Sequence, residues 1–172
     1  MIVFDIETTG LMPGKHQVVS LGAIHYESGQ TFYQECRIYK KNLISASALS
    51  LNGFTVEQVT DNKKITALVL YDNFVEWAIS RSDILAGHNI GSFDVQFLKI
   101  LHNKYRSKNK WPFSHRYIDL HSVAYAHFRE SLSHDEICLK LGIEPEPKPH
   151  NALLGALSEH KAFKEIFRIW GK

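Results

Sequence analysis

The segment Phe4-Asp5-Ile6-Glu7-Thr8-Thr9-Gly10 sets two carboxylates two residues apart on a predicted strand that runs into a glycine turn. Side chains alternate faces along a strand, so Asp5 and Glu7 lie side by side at its end. Like charges held that close repel each other, and isolated acids are costly to place in a core. A divalent cation removes both costs. Hard ions that prefer oxygen ligands, Mg²⁺ or Mn²⁺, are its natural occupants.

Such a site needs a folded frame, and the composition provides for one. The 172 residues, 44% apolar and 22% charged, read as one domain over 1–172 with a proper core. No apolar run approaches membrane-spanning length, and the immediate first strand leaves no room for a signal peptide, so a cytoplasmic protein without a membrane partner is expected. Cys36 and Cys138 lie far apart with no CxxC partner, which argues against a disulfide framework or a zinc knuckle. The net charge of +2 means that nucleic-acid binding would be local rather than driven by a basic surface.

No repeat, low-complexity tract or long linker divides the chain. Residues 2–7, 18–26 and 31–38 read as three strands, the last two joined by a hairpin signal at Ser28-Gly29. Leu68, Tyr71, Phe74, Val75 and Ala78 then follow helical spacing. A short apolar run, 84–86, ends in Gly87 and reads as a buried strand; a helix over 93–102 carries Val95, Leu98 and Leu101, and 117–119 is a fifth strand. Ser133 and Glu136 form a capping box for a helix with Ile137 and Leu141 that stops at Gly142. Pro145-Glu146-Pro147-Lys148-Pro149 is a stiff connector, and the last helix turns Leu153, Leu157, Phe163, Phe167 and Trp170 inward. The expected class is α/β, with a mixed five-stranded sheet, three antiparallel strands plus two further ones, flanked by helices.

Asp5 and Glu7 in FDIETTG, Asp94 in GHNIGSFDVQFL and His150 in HNALLGAL resemble, in order and spacing, the three motifs of the DEDDh (DnaQ-like) 3′–5′ exonucleases, whose fold is ribonuclease-H-like. The resemblance spans residues 4 to about 157. Each motif alone is modest evidence, since an acid pair after a strand is common; jointly they are specific. The implied reaction is hydrolysis of nucleoside 5′-monophosphates from a 3′ end with two Mg²⁺ or Mn²⁺ ions, roughly 4 Å apart in such sites. The resemblance implies that Asp5 bridges the ions, Glu7 ligates the one that binds water, and Asp94 completes the cluster. It gives His150 the proton of the attacking water, a role suited to imidazole. His88, Asn89 and Phe93 would contact the terminal nucleotide, Thr8, Thr9 and Gly10 would bring backbone to the 3′-hydroxyl, and Leu11 would wedge against the last base.

One position departs from the family. Five residues after the motif histidine the family has a fourth acid, and here that position is Gly155. Glycine inside a helix costs about 1 kcal/mol relative to alanine, so helix propensity does not explain it. Losing a carboxylate weakens a hard-cation site. Glu159, one turn later, could reach back, because helical side chains lean towards the N-terminus.

Plainer readings stand beside these. Asp5 with Glu7 alone would suggest an exposed strand end, Asp94 a first-turn acid favoured by the helix dipole, and His150 a residue that merely precedes a helix. His25, His115, His121, His127 and His134 fit no ligand spacing, and Asp119 suits helix capping. The basic, aromatic stretch 102–111 reads as a solvated loop before it reads as a strand guide. Functionally, the expected partner is a single-stranded DNA or RNA 3′ end. The alternatives are a catalytically silent 3′-end binding domain and a polymerase-associated accessory subunit, the latter disfavoured by the short stretch after the histidine motif.

Overall fold

A computed structural model describes residues 1–39 and 43–171. The strands β1 (Ile2–Thr8), β2 (Val18–His25) and β3 (Thr31–Arg37) make an antiparallel meander. The β2–β3 turn is where Ser28-Gly29 places it, with Gly29 at φ 72°. Next come the short helices α1 (Ala46–Asn52) and α2 (Val56–Val59), the two-residue strand β4 (Ile65–Thr66) and α3 (Ala67–Ile79). Two strand–helix units follow: β5 (Leu85–Gly87) with α4 (Asp94–Arg106), and β6 (Ile118–Asp119) with α5 (Leu120–Phe128). The helices α6 (His134–Lys140) and α7 (Ala152–Ile169) complete the order.

The strands form one mixed sheet in the order β4-β3-β2-β1-β5-β6, with β5 parallel to β1 and β6 parallel to β5. It has six strands where five were expected. The added β4 is too short to leave an alternation in the sequence. The helices α1 and α2 were also not anticipated. They are set by end chemistry instead: Gly53 at φ 71° closes α1, and a Thr55–Gln58 capping box opens α2.

Strand parity decides what reaches the site. Ile2, Phe4 and Ile6 enter a core shared with Leu70 and Phe74 of α3 and Val95 and Leu98 of α4. Val3 points to the opposite core, built with Leu120, Ile137, Ala156 and Phe163 from α5, α6 and α7. Asp5 and Glu7 share the parity of Val3 and so emerge on the α7 side. Each large apolar side chain buried in these cores contributes about 1.5–3 kcal/mol.

Two expectations about the ends of helices change. Trp170 is not core: it lies past the end of α7, 37% exposed, and donates from Nε1 to His127 Nδ1 at 3.0 Å. The basic stretch is not a loop throughout, because α4 runs on to Arg106. Within it His102 is buried against Tyr71, Arg106 pairs with Asp72, and Trp111 packs edge-on to Phe113.

Candidate active site

The ends of β1 and β5 define the site. These strands are parallel, but β5 pairs only with Ile2 and Val3 before it stops at Gly87. The Ile6 N–H therefore faces past the end of β5 and needs another acceptor. Asp94 Oδ1 takes it at 3.2 Å, from the first residue of α4. Asn89 makes the connecting turn possible with φ 54°, a left-handed conformation that Asn tolerates well. On the other side of β1 the pairing with β2 slips between Glu7 and Thr8, a bulge that bends the strand end at the site.

Asp5, Glu7, Asp94, Glu146 and Glu159 line one open cleft of about 500 Å³, together with His88, His134 and His150. Neither Lys nor Arg is among its lining residues. Asp94 and Glu159 are buried, whereas Asp5 and Glu7 are partly exposed. This crowding shows in proton affinity. Burial first, then the carboxylates of Asp94, Glu159 and Glu7, raises Asp5 well above the usual carboxylate range. Burial, reinforced by Glu146, lifts Glu7 to about 7. Burial also carries Asp94 to about 8, against the hydrogen bond from Ile6. Glu159 is raised well above its usual value by burial and by Asp94.

His150 stands at the head of α7. Its Nδ1 meets Glu146 Oε2 at 2.6 Å, and the other oxygen of Glu146 accepts the Asn151 N–H at 2.6 Å. With the carboxylate accepting, Nδ1 carries a proton, and in the neutral ring Nε2 is then the nitrogen with the lone pair. The His150 N–H donates to Leu51 O at 2.9 Å, which ties this segment to α1. Asn151 caps α7 by accepting from the Leu153 and Leu154 N–H groups.

Helix α7 lies unusually close to the sheet at this end. A Cβ at Gly22 of β2 would overlap the backbone of Ala152 and Leu153, and one at Gly155 would overlap Asp5 Oδ2. Gly155 thus brings the helix against the Asp5 carboxylate. One turn on, Glu159 Oε1 accepts the His88 N–H at 3.0 Å, while Oε2 has no hydrogen-bond partner among the described residues.

The structure brings Asp5, Glu7, Asp94, His150, Gly155 and Glu159 together, with His88, Asn89, Phe93 and Leu11 around them. Leu11 is 76% exposed at the rim. The side chains of Thr8 and Thr9 are turned inward at the end of β1. Thr8 Oγ1 donates to Gly10 O, and Thr9 Oγ1 donates to Leu43 O and accepts from the Gln17 N–H, so both hydroxyls hold the turn. Gly10, at φ 153° and facing the His16 ring, admits no side chain. Asp119 caps α5, accepting from the His121 and Ser122 N–H groups.

Three contributors were missed. Glu146 sat inside a proline-rich stretch read only as a connector. Asn52, which hydrogen-bonds Glu7 and the Thr8 carbonyl, belongs to a helix too short to show periodicity. His134 fits no ligand spacing in the sequence, yet it lines the cleft, its ring tilted by 45° and centred 5.9 Å from that of His88. Burial lowers His134 to about 4, so it is neutral near pH 7.

Among the described residues no three His, Cys, Asp or Glu side chains stand close enough to hold an ion without moving. The donor set nevertheless suits a hard cation: it consists of carboxylate oxygens, lacks a neutralising Lys or Arg, and includes the unpartnered Glu159 Oε2.

The model of a family described as exonuclease matches residues 2–159. The chain belongs to this exonuclease family. This exonuclease-family chain is 28% identical to the PolC-type DNA polymerase III of Thermotoga maritima over 99% of its own length and 12% of the polymerase. With the same enzyme of Bacillus subtilis it shares 31% over 60% of its length and 7% of the polymerase. The chain therefore spans only a small part of these relatives. Its structure superposes on the zinc-bound complex of E. coli exonuclease I with single-stranded DNA at a TM-score of 0.77, with 15% identity over 99% of this chain and 41% of that one. The nuclease domain of 3′hExo, a DEDDh family member bound to rAMP, gives 0.74 and 18% over 98% and 91%. At such identities these likenesses establish the ribonuclease-H-like fold.

No helix among the described residues is long and apolar enough to cross a membrane.

Proposed function

We propose that the protein is a 3′–5′ exonuclease that hydrolyses single-stranded DNA or RNA from the 3′ end and releases nucleoside 5′-monophosphates, using two Mg²⁺ or Mn²⁺ ions. The observation that carries this reading is a cleft ringed by five carboxylates, with no Lys or Arg lining it, beside an imidazole with one free nitrogen. With neither Lys nor Arg along it, the cleft relies on cations for the positive charge that attracts a phosphodiester.

Asp5, Glu7 and Asp94 are the residues that would hold the ions. Bound there, divalent cations supply the charge that admits the phosphate, activates water and stabilises the departing 3′-oxygen. The protein's own part is orientation and proton transfer. His150 Nε2 takes the proton of the water as it attacks phosphorus, and Glu146 fixes the ring and offsets the charge the ring acquires. Phe93 and Leu11 offer apolar surface to the terminal base. A second hollow of about 420 Å³, with Met12, Leu51 and Leu11 along it, adjoins that surface.

The test is a 5′-labelled single-stranded oligonucleotide, DNA and RNA in parallel, with Mg²⁺, with Mn²⁺ and with EDTA. The expected result is a ladder shortening from the 3′ end, lost in EDTA and in Asp5→Ala. Strand binding without shortening under every condition would sink the enzyme and favour a silent 3′-end binding module. The polymerase relatives support a second reading, action alongside a polymerase. Co-purification of a polymerase with the protein is the result it requires.

A further inference from the structure

We propose that Glu159 supplies the carboxylate that position 155 does not carry, as a direct ligand to a divalent cation in this cleft, and that Gly155 is what makes the exchange possible. This rests on the metal-dependent reading above and goes on to assign the ligand set of this particular chain.

Gly155 and Glu159 stand one turn apart on the face of α7 that packs on β1. A long helical side chain leans towards the N-terminus, so Glu159 covers the turn that Gly155 leaves bare. Its surroundings on the helix are Ala156, Ala162, Phe163 and Ile166, a face on which an apolar residue would be the ordinary choice. Glu159, which lines the cleft, is instead an acid at 6% exposure, with one oxygen committed to the His88 N–H and the other enclosed beside Gly87 without a hydrogen-bond partner among the described residues. Bonding to His88 needs only a neutral acceptor. An unpaired carboxylate oxygen in a buried position is expensive unless it takes up a proton or a cation meets it.

The glycine has its own reason. The Asp5 carboxylate occupies the space in which a side chain at 155 would begin: a Cβ there would overlap Oδ2 and lie 3.1 Å from Cγ. An acid at 155 and Asp5 in its present place exclude each other. The arrangement keeps Asp5 close to the helix and moves the second acid one turn back, to Glu159. Gly155→Asp therefore displaces a ligand as it adds one.

The experiment is Mn²⁺ binding to metal-stripped protein, followed by electron paramagnetic resonance of free Mn²⁺, with the melting temperature of each metal-free variant measured beside it. The variants are Glu159→Gln, Gly155→Asp and Asp5→Asn. Glu159→Gln keeps an acceptor for the His88 N–H. It is expected to weaken Mn²⁺ binding by about tenfold or more, with the metal-free melting temperature unchanged or raised. Gly155→Asp is expected not to tighten binding. Wild-type affinity in Glu159→Gln would overturn the proposal, as would tighter binding in Gly155→Asp. Weaker binding in Glu159→Gln together with a lowered metal-free melting temperature would make Glu159 a scaffold for His88 and overturn it too. Should the unaltered protein bind no Mn²⁺, the metal-dependent reading itself fails. Binding lost in Asp5→Asn but kept in Glu159→Gln removes only the present inference.

Discussion

A base works only when its lone pair faces the proton it is to take, and in this chain that orientation comes from Glu146. Its two oxygens hold His150 Nδ1 and the Asn151 N–H, so one buried carboxylate sets both the imidazole tautomer and the start of α7. Glu146→Ala frees the ring to rotate and to place its proton on either nitrogen. The expected effect is a fall in kcat of roughly 10–100-fold with KM little changed, read from steady-state hydrolysis of a short single strand. A raised KM with kcat intact would assign Glu146 to substrate binding instead. Asp94 has two jobs that substitution separates. Asp94→Asn keeps an acceptor for the Ile6 N–H, whereas Asp94→Ala leaves that buried donor bare, at a cost of about 1–3 kcal/mol. Both variants should lose hydrolysis. In chemical denaturation of the metal-free protein, Asp94→Asn should be the more stable of the two.

Among the elements, α7 does the most to assemble the site. It carries Gly155 and Glu159, begins directly after His150, and packs on both β1 and β2. Its first turn can sit so near the sheet only because Gly22 has no side chain. Backbone, unlike the end of a flexible side chain, cannot swing aside, so Gly22→Ala must push the helix outward. Overpacking of this kind costs about 1–3 kcal/mol, and denaturant unfolding would measure it. Because His150 moves with that turn, activity should fall more than the loss of folded protein accounts for. Unchanged stability in Gly22→Ala would show that the close approach is not needed. The brevity of β5 matters in a similar way, since one more pair of residues in that ladder would take the Ile6 N–H away from Asp94.

For the whole molecule, the cleft makes stability depend on pH and on metal together. Asp94, lifted to about 8, and Glu7, lifted to about 7, bind protons more tightly when folded than when unfolded. In metal-free protein their protonation stabilises the fold, and that contribution, full below the unfolded-state values of about 4, is lost progressively until pH has passed about 7 and 8. His134, held down at about 4, has the opposite sign and acts only as pH falls below about 6.5. The melting temperature in EDTA should therefore fall between pH 6.5 and pH 8, and saturating Mn²⁺ should flatten or reverse that slope. Equal slopes with and without Mn²⁺ would mean that no ion neutralises these carboxylates. Much of this molecule was legible in the sequence. Strand parity put Asp5 and Glu7 on one face, the Ser28-Gly29 turn and the Ser133–Glu136 capping box fell where local chemistry sets them, and the spaced motifs pointed to the fold and family. These are local rules, which neighbouring residues alone satisfy. Glu146 beside His150, Asn52 beside Glu7, and α7 pressed on Gly22 were not legible, because each joins segments that only the packed chain brings together. The sequence by itself determined which acids could meet. Tertiary structure decided that Gly155 makes room for Asp5 and that Glu159 lies in the same cleft, because burial and close approach belong to the folded chain.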